Sequence, residues 1–500
     1  MSETIIYAKR LLRGSSLIFL SGLSVSAAGF LLRIFLARSL MPSDYGLFFA
    51  LIGFLSFVAL VGNLGLPTAL TKYISEFWTK KQSERVRSCI YFALKIQSFL
   101  LVGMAVSLVL LSNTIAVCVF KTPEASTMLK VMSVWLVVGC LFGTVQSAHQ
   151  GFQNLGMVSL MGSLQAFGIL LFALLFIGCL NFNVTGMAFA CLFGSLTALI
   201  IGVIVLIRKY WIHLKGKPVS SESFAKGFIW FSLISFIGII GVTVLDNLDT
   251  LIIQLFRGAK EVGYYQVARP LFGVVGSVGG ALGTALFPLT SELWAREERE
   301  SLRRLLRYML KISFSIILPT VFLFVAFPEI IIRLIFGDAY LPAAPVLRVL
   351  AIVPVFYIPW MYLQAALGGI GRPDKSTQAI CLAAAINLVG NLLLVKPYGA
   401  LGAAVAMLVM YGLGFTILVF FTQRFLGVDV PMSSIGKSSL GGCFMLMLIF
   451  ILKGLIQLPV WLKLVTVLTP SLLFYLIWEF ATKVITREDL ALFRSLLRRH

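Results

Sequence analysis

TVLDNLDTLIIQLFRGAKEVGYYQVAR, residues 243–269, is two apolar runs joined by a short polar turn, with charged groups set inside the apolar stretches. No soluble amphipathic element reads this way. Asp246 and Asp249 are three residues apart, so a helix puts both carboxylates on one face. Counting at 1.5 Å per residue, Asp249 lies before the turn at about the depth at which Arg269 lies after it, and a structural ion pair across the hairpin is expected. Asp246, one turn deeper, is the expected coupling carboxylate, because an ionisable group inside a membrane span is a functional candidate by default.

The rest of the chain is built for the same solvent. Of its 500 residues 59% are hydrophobic and 12% charged, and mean hydropathy is +0.98. Apolar runs of about 20 residues, each long enough to cross roughly 30 Å of hydrocarbon, recur about fourteen times. They do not alternate as barrel strands do, and backbone polar groups in lipid must be bonded internally, so the runs are helices. The first run is followed by further spans and by no small-residue cleavage site, so it is expected to be retained.

The formal charge of +21 is mainly a topology signal. Basic residues gather in the N-terminal tail, in alternate loops (67–88, 208–226 and 294–311, with shorter ones after the tenth and twelfth runs) and in the C-terminal tail. The positive-inside rule makes that side cytoplasmic and puts both termini there. Spread over alternate loops, these residues form no single basic module, which argues against a nucleic-acid partner. They leave anionic lipid headgroups, including a phosphorylated substrate, as partners.

Enzyme chemistry finds little support. The three histidines, His149, His213 and His500, fall at loops, helix ends or the tail and have no HExxH partner. SSIGKSS (433–439) mimics a phosphate loop, but Pro431 stands where that motif requires glycine. Asn183-Val184-Thr185 is a glycosylation sequon too short to carry weight. The seven cysteines have no metal-ligand spacing and read as packing residues. No cofactor and no metal is expected.

The runs form a duplicated set. SDYGLFF (43–49) with SEFW (75–78) matches KEVGYYQ (260–266) with SELW (291–294); QSAHQGF (146–152) matches QAALGGI (364–370); GMAFA (186–190) matches GAAVA (402–406). All three share an offset of about 217 residues, equal to six spans. An even repeat keeps both copies parallel, related by an axis along the membrane normal. The expected organisation is an N-lobe with its linker (1–220), a C-lobe (221–426), and two further helices with a basic tail (427–500). The fold class is an all-α polytopic membrane protein of about fourteen transmembrane helices: two parallel six-helix lobes around a central cleft, plus two C-terminal helices. Arg33 occupies in the first copy the register that Asp249 holds in the second, and Arg348 enters the tenth span from the same side as Arg33 and Arg269. Three arginines in the outer half of a bundle suit a phosphate, which guanidinium grips bidentately.

ARSLMPSDYGLF (37–48), GLPTALTKYISE (65–76), LDTLIIQLFRGAKEVGYYQVAR (248–269) and YGALGAAVA (398–406) resemble the polysaccharide-biosynthesis flippases related to the Wzx proteins. These belong to the multidrug/oligosaccharidyl-lipid/polysaccharide exporter superfamily. The resemblance covers about residues 10–425. It implies movement of a polyprenyl-diphosphate saccharide from the inner to the outer leaflet, with Arg33 and Arg269 as cavity arginines, and glycan polymerases or glycosyltransferases as partners. Asp246 and Asp249 resemble instead the cation-coupling carboxylates of the multidrug extruders, with H⁺ or Na⁺ as the coupling ion. The alternative reading is therefore a cation-coupled small-molecule antiporter. A membrane-embedded polymerase or ligase is disfavoured, because no expected external loop exceeds about fifteen residues.

Overall fold

The computed structural model describes residues 3–214, 222–455 and 459–486, and all regular structure among them is helical. In chain order the helices are α1 (Glu3–Ser39), α2 (Pro42–Asn63), α3 (Leu66–Thr79), α4 (Ser83–Ile115), α5 (Ala125–Gly151), α6 (Leu155–Ala173), α7 (Asn183–Lys209) and α8 (Glu222–Arg257). There follow α9 (Ala259–Ala295), α10 (Arg299–Ala326), α11 (Pro328–Ile335), α12 (Ala344–Leu350), α13 (Pro354–Gly369), α14 (Pro373–Leu426), α15 (Met432–Leu455) and α16 (Val460–Ala481).

Among the described residues ten helices are long and apolar enough to cross a membrane, and eleven if Asp338–Leu350 and Pro354–Gly369, bent by 47°, count as one span. α14 is 54 residues long, twice what a bilayer needs, and breaks at Gly399 (φ 59°, ψ −135°) into two arms. With those arms, the 37-residue α9 and the 22-residue α16, the helices accommodate the fourteen expected spans. Large side chains such as Phe99 and Leu110 on α4 point outward, 82% and 76% exposed, as lipid-facing residues should.

Two segments expected as loops are helical. The basic stretch after α2 forms α3, whose buried face (Leu66, Ala69, Leu70, Ile74, Phe77) packs on α4, α5 and α8. Between α10 and the expected tenth span the chain forms α11 and a 3₁₀ turn over Asp338–Ala343, and that span is itself broken into α12 and α13. In each case a short amphipathic pattern lay between longer apolar runs that dominated the reading.

The chain divides into two compact units, residues 1–263 and 264–500. In the first, α3 and α8 meet through aromatic packing of Tyr73 and Phe77 with Phe224, Phe228 and Phe231, while Phe152 stacks flat on Tyr210 with centroids 4.1 Å apart. In the second, α10, α13 and α14 surround a core containing Leu306, Leu310, Trp360, Leu363 and Leu418.

The repeat is visible in the backbone. At the end of α3 the N–H groups of Lys80, Lys81 and Gln82 donate to the carbonyls of Glu76, Trp78 and Phe77; at the end of α9 those of Arg296, Glu297 and Glu298 donate to Glu292, Trp294 and Leu293. The same double closure ends α5 (Gln153 to Gln150, Asn154 to His149) and α13 (Gly371 to Gly368, Arg372 to Leu367). All four are Schellman caps with a left-handed residue at the stop, and they fall in matched pairs at the repeat offset. Even the flanking ion pairs match: Lys80 with Glu76 at 2.6 Å and Arg296 with Glu292 at 2.7 Å.

Candidate functional site

α2 opens with Pro42, whose fixed φ suits a helix start and whose missing N–H would have had no partner there. The turn that follows carries Tyr45, Gly46 and Phe49. Four residues apart, Tyr45 and Phe49 share one face of α2, with ring centroids 4.7 Å apart. Arg33 of α1 lies on that face: its guanidinium carbon is 4.3 Å from the Phe49 centroid, and it hydrogen-bonds the Tyr45 hydroxyl. Tyr45 is fully buried and Arg33 half-buried. A guanidinium this close to a ring face is within cation–π range, and that contact helps to orient it.

Gly46 serves a different purpose. A Cβ there would overlap the carbonyl oxygen of Ala259 and stand 2.6 Å from the amide nitrogen of Gly263, and a Cβ on Gly263 would overlap the carbonyl oxygen of Pro42. Pro42 and Ala259 are repeat mates, as are Gly46 and Gly263. The same backbone-to-backbone contact is therefore made twice with the partners exchanged, the signature of a local two-fold. It brings α2 and the first turn of α9 close enough that only glycine fits at either position.

The two aspartates of α8 have unlike surroundings. Asp249 is 1% exposed, flanked by the equally buried Thr250 and, a turn on, by Gln254. The Gln254 amide donates to the carbonyls of Val119 at 3.4 Å and Phe120 at 3.3 Å, tying α8 to the short segment that follows α4, and Lys121 donates to Leu255 at 3.2 Å. Asp246, one turn back, is exposed. Three-residue spacing put both on one helical face, and packing of that face closes over one carboxylate and not the other.

Arg269, next to Pro270 in α9, is half-buried in the second unit. Arg348 of α12 is exposed and forms an ion pair with Glu329 at the start of α11, so it would have to exchange that carboxylate for a phosphate. His149 is a packing residue: fully buried, its Nε2 lies 3.0 Å from the Gly202 carbonyl oxygen. Among the described residues no three His, Cys, Asp or Glu side chains cluster as a metal site would require. Tyr45 and Phe49 were not singled out in the sequence, although both lie in SDYGLFF; their four-residue spacing opposite an intramembrane arginine was the available signal.

The chain is similar to several known proteins. The family model described as "Polysaccharide biosynthesis protein" matches residues 11–294, and the MatE model matches 235–393. An uncharacterised membrane protein of Methanocaldococcus jannaschii is 25% identical over 84% of this chain and 85% of its own length. The probable low-salt glycan biosynthesis flippase Agl15 of Haloferax volcanii is 23% identical over 89% of this chain and 90% of its own. Among solved structures, the lipid II flippase MurJ in an inward closed conformation superposes with a TM-score of 0.76 at 15% identity, covering 93% of this chain and 98% of that one. With more than half of its length matched by one family model, the chain belongs to the polysaccharide biosynthesis protein family, within the multidrug/oligosaccharidyl-lipid/polysaccharide exporter superfamily.

Proposed function

We propose that the protein is a flippase that carries a polyprenyl-diphosphate oligosaccharide from the cytoplasmic to the outer leaflet of the cell membrane for glycan assembly, with both termini cytoplasmic. The observation that carries this reading is Arg33, a guanidinium oriented by Tyr45 and Phe49 inside an apolar helix bundle of the polysaccharide biosynthesis family. Such a group grips a diphosphate and has little use for a cationic drug. Arg269, and Arg348 once released from Glu329, add further phosphate donors in this reading. The protein then acts as a transporter and not as a catalyst: its work is to lower the barrier for a charged headgroup to pass through hydrocarbon.

Coupling is assigned to α8. Asp246 is exposed and can exchange H⁺ or Na⁺ with water, and Asp249 holds the buried turn beside it. The test is leaflet exchange of a fluorescent polyprenyl-diphosphate saccharide in vesicles containing the full chain. Exchange should exceed that of empty vesicles at least tenfold, and Asp246→Asn should make it insensitive to the ion gradient. A reconstituted, folded protein that exchanges no such lipid would overturn the reading.

A second reading, a cation-coupled small-molecule antiporter, is favoured by the MatE match over residues 235–393, which includes the two aspartates of α8. Gradient-driven efflux of an organic cation without lipid exchange would select it.

A further inference from the structure

α15 and α16 follow the duplicated set, and α15 packs between α10 and α16. Two adjacent glycines allow this close packing. Gly441 faces the indole of Trp478 on α16 and Gly442 faces the ring of Phe322 on α10, each so closely that a Cβ would overlap the ring. Below them Met445, Ile449, Val467 and Phe327 make a dry apolar cluster.

Set into this apolar junction is a group of oxygens. Glu479 of α16 is 0% exposed, and neither carboxylate oxygen completes a hydrogen bond. Ser438 of α15, 1% exposed, and Ser315 of α10, 5% exposed, each have a buried hydroxyl likewise without a partner. In their midst is the Tyr475 hydroxyl, which donates to the Ser315 carbonyl at 3.3 Å and feels both the Glu479 carboxylate and the Ser438 hydroxyl. Among the described residues no lysine or arginine comes within ion-pair distance of Glu479; Lys437, one residue from Ser438, donates its ammonium to the Thr482 carbonyl at 3.2 Å. A sealed carboxylate surrounded only by neutral groups costs several kcal/mol unless its charge is balanced.

We propose that Glu479, Ser438, Ser315 and Tyr475 form a binding site for a hard monovalent cation of the sodium class, which fastens α15 and α16 to α10. The donor set is all oxygen, as hard cations prefer. One carboxylate among neutral hydroxyls and carbonyls balances a single positive charge, whereas a divalent ion would leave net charge in a low-dielectric junction. The site is independent of Asp246 and Asp249 and of what the protein transports.

Thermal unfolding of the purified full chain in sodium chloride, potassium chloride and choline chloride at equal ionic strength tests it. Sodium should raise the Tm of the parent by several degrees over choline, since a ligand bound only by the folded state stabilises it by mass action. Glu479→Gln, which keeps the shape and removes the charge, should lose at least half of that rise. Ser438→Ala, a smaller change that keeps the carboxylate, should weaken it and carries the test if Glu479→Gln does not fold. A parent with no sodium-specific rise, variants that keep the full rise, or a Tm that follows pH with no response to sodium would each overturn the proposal, the last by assigning a proton to the carboxylate.

Discussion

The first copy of the repeat stops where the second runs on. α2 ends at Leu64 and Gly65, two consecutive left-handed residues (φ 40° and 72°), and α3 restarts at once with Pro67 in its first turn. The matching stretch near residues 280–283 lies inside α9, one helix of 37 residues. The reason for the break is steric: a Cβ on Gly65 would overlap the Ser232 carbonyl oxygen of α8, so the chain turns there to admit the neighbouring backbone. One repeated pattern thus yields a jointed element in one copy and a continuous helix in the other. Symmetry is kept at the caps and at the Gly46/Gly263 contact, and given up at the joint and at the charged residues.

If charge is where the copies have diverged in function, the largest effect belongs to the arginines. Arg33→Ala should reduce leaflet exchange by roughly tenfold or more, a loss of at least about 1.4 kcal/mol in barrier terms, and Arg33→Lys should restore little because an ammonium lacks the planar fork. Arg348→Ala, which frees Glu329 at an exposed site, should change exchange by less than about threefold. Equal losses would break the contrast.

Where symmetry is kept, the copies should suffer alike. Gly46→Ala and Gly263→Ala each drive a methyl into backbone atoms, and each should destabilise the protein by several kcal/mol, read as loss of monodisperse protein in size-exclusion chromatography. Tolerance of one and not the other would show that the exchanged contact is not symmetric in energy.

At the joint they should differ. Gly65→Ala meets both a left-handed φ and the Ser232 carbonyl and should cost roughly 2 kcal/mol or more. Gly283→Ala in α9 places its methyl at ordinary contact distance, 3.7 Å from the Met361 Cβ, and should be neutral or stabilising by up to about 1 kcal/mol. Paired melting curves of the two variants measure the difference directly.

The smallest effect is at the caps. The Lys80 ammonium beside Glu76 holds that carboxyl below its usual range. A lowered folded-state pKa contributes stability above the unfolded pKa and loses it as pH falls through the folded one. Lys80→Ala should therefore narrow the stability gap between neutral and mildly acidic pH slightly. The pair is exposed, so the change should lie near the error of an unfolding curve and shrink further in salt.

The fold was legible because lipid imposes one periodic demand, about 20 apolar residues per crossing, and because the duplication left its turn residues in register. Gly371 and Gln153 close matching helices although only one of them is glycine; the cap is recognisable by offset and not by residue type. α3 and α11 were harder to read, since short amphipathic segments beside long apolar ones contribute little to a window average. The candidate site was half legible. Intramembrane charge singled out Arg33 and Asp249, but which carboxylate is sealed, and that Arg348 has an acidic partner from another helix, depends on packing between elements distant in sequence. Glu479 stayed hidden near the end of its span, where a charged residue ordinarily reaches water.

The Gly46/Gly263 crossing has a consequence for how such a chain can change. When one gene product meets an identical copy of itself, a single substitution strikes the interface twice, and improvement or damage is doubled. After fusion each half can vary alone, yet at this crossing the backbone of one half fills the space that a side chain on the other would need. Neither glycine can be replaced in compensation for a change in its mate, because no side chain is smaller than a hydrogen atom. The two positions are thus held by geometry long after the surrounding residues, Arg33 and Asp249 among them, have become free to carry opposite charges.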